Sequence, residues 1–199
     1  LYGLREKWGL WEGDELVSIL TVTPLLFGWG PAIGIAGVGT RPDLSGLGYA
    51  GKLLDHVLTH AEANAHGPAM LFAHDVRLYQ RHGFELVDTV IRGKIRGDGT
   101  SFGGRILEED EIAARYDAWA EASTSRMVRD QARWHFWRWS LRTCESLGDG
   151  YLCLEPSLVR EAICEPNMDS WPVPHGTEWY GMHSLTEELG VPLESSKSE

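Results

Sequence analysis

The sequence predicts a mixed α/β (α+β) fold, a twisted sheet with parallel central strands followed by a smaller C-terminal α+β unit. Three observations predict it. Residues 7–40 hold three segments rich in β-branched, aromatic and aliphatic residues, broken by Gly and Pro turns. Residues 32–73 then read strand, glycine loop, helix, strand, the order of a parallel crossover. Finally, four glycines within residues 96–104 separate this part from a second run of helical and strand-like segments.

Residues 7–12 and 16–26 form an expected antiparallel hairpin, because Gly13 and Asp14 between them supply turn chemistry. A second turn over residues 27–31 leads into residues 32–40, a small apolar strand whose glycines admit a close backbone or ligand. Pro42, Gly46 and Gly48 break that strand. Over residues 49–65, Ala50, Leu53, Leu54, Val57, Leu58 and Ala61 recur at helical spacing. Residues 69–73 read as the next parallel strand, 74–81 as a short helix stopped by Gly83, and 84–95 as one or two strands. Further on, residues 108–121 and 125–145 are helical by pattern, and 150–156 is a short strand. The domain expectation is a core over residues 1–96, an accessory unit over 105–193 and a disordered polar tail over 194–199.

Composition narrows the function classes. A formal net charge of −11 argues against a general nucleic-acid binder and favours a cationic acceptor such as an amine. No apolar run approaches the roughly 20 residues needed to cross a bilayer, so no membrane partner is expected. Cys144, Cys153 and Cys164, odd in number and widely spaced, suit neither a disulfide framework nor a zinc site and read as reduced thiols, which with no signal-like start gives a cytoplasmic expectation. A homo-oligomer remains open.

The segment Ser45, Gly46, Leu47, Gly48, Tyr49, Ala50, Gly51, set between a strand and a helix, is a generic anion cradle. Taken alone it is also a plain tight turn. A dinucleotide fold needs GxGxxG and an acidic residue about 20 positions on, and a P-loop needs Gly-Lys-Ser/Thr; neither is present. A second motif, Tyr79-Gln80-Arg81-His82-Gly83-Phe84, follows the next strand. Residues 40–50 resemble the signature V-x-P-x-x-(R/Q)-x-x-G-x-(G/A), and residues 79–84 resemble its partner Y-x-x-x-G-F. In this order and context the pair resembles the GCN5-related N-acetyltransferase (GNAT) superfamily over residues 7–95.

That resemblance implies splayed central strands with acetyl-CoA, a cosubstrate, entering the gap. It implies that Gly46 to Gly51 line the pyrophosphate beside Ser45, that Val38 and Thr40 pair with the pantetheine, and that the Val38 N–H faces the thioester carbonyl. His74 and Asp75 would open the second helix beside the pantetheine arm, and Tyr79 would protonate the leaving thiolate. The chemistry is consistent: a fixed N–H stabilises an oxyanion without reorganisation, and a tyrosine of pKa about 10 can protonate a developing thiolate of pKa about 8.5. The acceptor would be a primary amine of a small molecule or protein. Ser45 stands where the family has Arg or Gln, which weakens a side-chain contact to phosphate; Arg41, Lys52, Arg77 and Arg81 are nearby cations. No carboxylate on residues 35–40 or 69–73 offers a general base, and His74 reads first as a cap or surface residue. The competing reading is a catalytically silent acyl-CoA-binding or interaction module.

His56 and His60 have metal-ligand spacing but lie off the apolar face of their helix and lack a third ligand, so no metal is expected. The Arg/Trp-rich stretch 126–142 reads as a packing helix through Trp134, Trp137 and Leu141 rather than a nucleic-acid face. The order of segments after residue 105 loosely resembles the second half of acetyltransferases of the enhanced-intracellular-survival type, in which a degenerate unit helps to shape the acceptor pocket. Trp171, Trp179 and Tyr180 then either line that pocket or pack the core.

Overall fold

A computed structural model of the chain describes residues 5–100, 103–140, 143–164 and 168–198, with the side chains of 138–140 and 195–198 outside the description. The chain divides into two compact units, Leu1–Glu85 with Ser123–Arg133, and Leu86–Ala122 with Trp134–Glu199.

In the first unit, β1 (Glu6–Glu12), β2 (Glu15–Phe27), β3 (Gly30–Thr40) and β4 (Ala69–Met70) form a sheet in that order. The β1–β2 and β2–β3 pairs are antiparallel and β3–β4 is parallel. Helix α1 (Tyr49–Ala63) crosses between β3 and β4, and α2 (Arg77–Gln80) follows β4. Alternation decides the buried face: Leu20, Val22, Ile33 and Ile35 meet Leu53, Leu54, Val57 and Ala61 of α1 in one core. Gly67 returns the chain from α1 to β4 at φ +76°, so close to β3 that a Cβ would lie 1.9 Å from the Pro31 carbonyl oxygen. Only glycine permits that approach. Residues Ser123–Arg133 rejoin this unit at the β2–β3 turn, where the Trp29 N–H donates to the Thr124 carbonyl at 3.0 Å and the Val128 N–H to Leu26 at 2.8 Å.

The second unit holds β5 (Val90–Ile95), α3 (Glu109–Glu121), β6 (Cys144–Leu147), β7 (Gly150–Glu155), β8 (Leu158–Ile163), β9 (Glu178–Met182), α5 (His183–Glu188) and β10 (Leu193–Ser198), with α4 (Gln131–Ser140) leading into it. Its sheet runs β10-β5-β9-β8-β7-β6. Trp171 and Trp179 lie in one of its cores, and Trp137 in another with Trp134 packed against it. The packing reading of the Trp-rich helix therefore holds for its described residues; Leu141 lies outside them. Tyr180 is exposed.

Three expectations differ from the structure. Residues 96–104 are not a slack boundary: Gly97 bridges to Trp171, and a Cβ there would sit 2.3 Å from the Val173 carbonyl oxygen, so glycine serves close approach. The compact units part at Glu85/Leu86 instead. In place of a disordered tail over 194–199, Leu193–Ser198 forms β10 on β5, because backbone pairing needs no apolar side chains. The helix expected over 125–145 is shorter, since residues 123–130 form a turn and an irregular stretch tied to the end of β2 by the Phe27–Met127 bridge, and Cys144 begins a strand. No helix among the described residues is long and apolar enough to cross a membrane.

Leu54, with 0% of its surface exposed between α1 and the sheet, is the keystone of the first core. Leu54→Ala should destabilise that unit by about 2 to 5 kcal/mol, read from urea unfolding followed by tryptophan fluorescence.

Candidate functional site

The site begins where β3 leaves the regular ladder. Thr21 pairs with Ala36 and Ile19 with Gly39, so Leu20 alone stands opposite Gly37 and Val38. Gly37 adopts φ +61°, and this two-against-one bulge bends the strand. Two hydroxyls of β2 compensate: Thr21 Oγ1 donates to the Ala36 carbonyl at 2.9 Å, and the buried Ser18 Oγ donates to that of Gly39 at 2.8 Å. Ser18 Oγ also lies 3.3 Å from Thr40 Oγ1. On its other side β3 pairs with β4 only at Ile33–Ala69 and Gly34–Met70. The rest of β3, including Val38 and Thr40, therefore runs on without a β4 partner, as the expected splay requires.

After Thr40 a single 3-10 turn, Pro42–Leu44, and an extended Ser45 lead to Gly46 (φ +80°) and Gly48 (φ +84°), which caps α1. Among the described residues, the N–H groups of Gly46, Gly48, Tyr49, Ala50 and Gly51 have no acceptor, while Leu47 reaches Leu44 at 3.4 Å and Lys52 closes the first helical turn on Gly48 at 3.0 Å. Unpartnered N–H groups at the start of a fifteen-residue helix, joined by its dipole, favour a bound anion.

Charge near the loop is already engaged. Arg41 binds Glu15 at 2.6 Å and Asp43 at 2.8 Å, and its pKa is raised by those hydrogen bonds, Glu15 foremost. The hydroxyl of Tyr49 donates to Glu12, which raises its pKa. Lys52 Nζ sits 5.2 Å from the centre of the Tyr49 ring. Arg77 is taken by Asp75 at 2.6 Å, which holds that carboxyl down at about 2. Of the four nearby cations Arg41 and Arg77 are paired with carboxylates, while neither Lys52 nor Arg81 forms an ion pair among the described residues.

Tyr79 lies on α2, half-buried, edge-on to Phe84 with ring centres 5.9 Å apart, and packs on the same core as Val38. Burial raises its pKa, so the phenol holds its proton across the neutral range, and among the described residues its hydroxyl has no hydrogen-bond partner. Its carbonyl accepts from the N–H groups of His82 at 2.9 Å and Phe84 at 3.2 Å, and Gly83 at φ +83° makes that reversal possible. His74 and Asp75 do not open α2. Its cap is Val76, both residues are exposed, and Asp75 accepts from the Arg77 N–H at 3.0 Å while gripping its guanidinium.

Two residues to which the sequence reading gave no role come together: His82 Nδ1 pairs with Asp55 Oδ1, and a Cβ on Gly51 would lie 3.0 Å from His82 Nε2. The spacing of Gly51 and Asp55, one helical turn apart, was the only signal. His56 and His60 are exposed and pack edgewise on Trp8, and no His/Cys/Asp/Glu group with metal-site geometry occurs among the described residues.

Residues 1–87 match the family model described as an acetyltransferase (GNAT) domain. No curated protein matches the sequence. Among solved structures, the chain resembles a GCN5-related N-acetyltransferase from Kribbella flavida, with a TM-score of 0.72 and 17% identity over 97% of this chain and 58% of that one. It is also similar to a GCN5-related N-acetyltransferase from Anabaena variabilis (TM-score 0.67, 17% identity, 96% of this chain and 61% of that one). Eis1 from Mycobacterium abscessus gives a TM-score of 0.60 at 14% identity, with 97% of this chain and 63% of that one covered. At such identities the likeness is one of fold. The chain spans less than two thirds of the length of each.

Proposed function

We propose that this chain, whose residues 1–87 match the GNAT acetyltransferase domain model, moves an acetyl group from acetyl-CoA to a primary amine of a small molecule or protein. The observation that carries the reading is the set of N–H groups of Gly46, Gly48, Tyr49, Ala50 and Gly51 that have no acceptor among the described residues, at the exit of a strand that has parted from its parallel neighbour. A pyrophosphate suits that row: it needs several donors, little depth and no base-specific contact. Val38 and Thr40, on the unpaired stretch of β3, offer backbone groups for an extended pantetheine arm to pair with. His74 and Asp75 lie beyond the end of β4 and are given no direct contact in this reading.

In the reaction the amine nitrogen attacks the thioester carbonyl, the Val38 N–H stabilises the charge that develops on oxygen, and the C–S bond breaks. Tyr79 gives its proton to the departing sulfur. The phenol supports this role because burial keeps it protonated and its hydroxyl is otherwise uncommitted. The amine must arrive neutral or first lose a proton to water, and the proton that the attacking nitrogen sheds as the amide forms passes through water to restore the Tyr79 phenol. The acidic balance of the chain, −11, favours a cationic acceptor at long range.

A second reading, an acyl-CoA-binding module without turnover, draws on Ser45 at the Arg/Gln position and on Arg41 being held by Glu15 and Asp43. Acetyl-CoA consumption against a panel of amines separates the two.

Acetyl-CoA, but not NAD or ATP, should raise the melting temperature, with a stabilisation of about 2.7 kcal/mol at a hundredfold excess over its Kd. A flat thermal-shift titration would count against both readings. Tyr79→Phe should keep CoA affinity by calorimetry and lower kcat roughly 100-fold; an unchanged kcat would leave Tyr79 a packing residue. Ser45→Arg should tighten acetyl-CoA binding about threefold to tenfold in a salt-dependent way and leave kcat level, because the phosphates are remote from the thioester. Weaker binding, or a gain indifferent to salt, would show that Ser45 does not face the pyrophosphate.

A further inference from the structure

The acetyl-transfer reading gives no role to His82 or Asp55, yet they join its two halves. α1, whose first turn carries the anion-binding N–H groups, leaves from β3; the turn that carries Tyr79 leaves from β4, and the two strands separate after two paired residues. The His82 imidazole spans that separation. Its Nδ1 meets Asp55 on α1, while Nε2 and Cε1 would stand 3.0 and 3.2 Å from a Cβ on Gly51, filling the place of the side chain that Gly51 lacks. Gly51 and Asp55 are one turn apart, so the ring lies along α1 at the level of the anion-binding end. At its other end, the His82 N–H donates to the Tyr79 carbonyl at 2.9 Å. The imidazole is mostly enclosed, 14% exposed, whereas the Asp55 carboxylate is 65% exposed.

We propose that His82 is a positioning residue: braced on Gly51 and anchored by Asp55, it sets the distance between the phosphate-binding end of α1 and the hydroxyl of Tyr79, so that an acetyl-CoA held by its phosphates meets the proton donor in register. This rests on the assignment of the loop and of Tyr79 given above. Glycine at position 51 then has a second purpose beside helix entry, since any side chain there displaces the imidazole. The contact acts on Tyr79 through the backbone, so it governs the chemical step more than cofactor affinity.

The test has an arm that needs no turnover. Tyrosines labelled in the ring are titrated by NMR in the ligand-free protein, with Tyr79 assigned as the resonance missing from Tyr79→Phe. His82→Ala and Asp55→Ala should lower the Tyr79 midpoint toward the ordinary tyrosine value of about 10, because a released turn lets water reach the phenol. Asp55→Asn, which still accepts from Nδ1, should keep the wild-type midpoint. In turnover, His82→Ala should lower kcat about tenfold while CoA affinity by calorimetry changes less than about threefold, and the same substitution in the Tyr79→Phe background should cost nothing further. An unmoved Tyr79 midpoint in both alanine variants overturns the proposal, as does an equal loss of kcat in the two backgrounds, which would mark a merely structural contact. If His82→Ala does not fold, Asp55→Ala, at an exposed helix position, carries every readout. Absence of acetyl transfer by the wild type would sink the functional reading instead, and the Tyr79 titration would still decide the role of His82.

Discussion

Parallel pairing between β3 and β4 lasts for two residues, Ile33 with Ala69 and Gly34 with Met70, and the rest of the first unit is arranged around its failure to continue. A parallel ladder extended along β3 would occupy the backbone of Ile35 to Thr40 and leave no room for a ligand. The bulge at Gly37 and Val38 turns β3 away, and Ser18 and Thr21 hold the carbonyls that the bulge releases toward β2. The sheet is thus open on one side of β3 without leaving those carbonyls unsatisfied on the other, which is the condition for a stable cleft in a structure whose buried polar groups must be paired.

The electrostatics of the loop follow from the hairpin beside it. Glu12 ends β1 and Glu15 begins β2; together with Asp43 they engage Tyr49 and Arg41, so the obvious guanidinium is neutralised at the point where an anion would approach. Besides the ammonium of Lys52 and the guanidinium of Arg81, what remains for an anion is backbone: five N–H groups without an acceptor among the described residues and the dipole of α1. Such a cradle depends little on side-chain identity, which suits the proposed phosphate contact in an acidic chain with Ser45 at the Arg/Gln position.

Much of this was legible in the sequence because it depends on local chemistry. The hairpin turn at Gly13-Asp14, the break at Pro42, the apolar spacing from Leu53 to Ala61 and the glycine after His82 act over a few residues, and each produced the element expected of it to within a few positions. The pairing of Leu193–Ser198 with β5, the tethering of Gly97 to Val173 and the bridge of Met127 to Phe27 at the end of β2 were not legible. Each depends on a partner distant in sequence, and neither polarity nor glycine content distinguishes a loose segment from one held by backbone contacts.

The candidate site divides the same way. By itself the sequence determined the strand, glycine loop and helix from Thr40 to Gly51 and the tyrosine turn that follows, since a left-handed glycine and a helix start are properties of a few consecutive residues. Only the tertiary structure decided that Arg41 is spent on Glu15 and Asp43, that Asp75 grips Arg77 instead of opening a helix beside the cleft, and that His82 reaches 27 residues back to Asp55. Those outcomes depend on which side chains the fold brings within a hydrogen bond of one another, and separation along the chain carries no information about that.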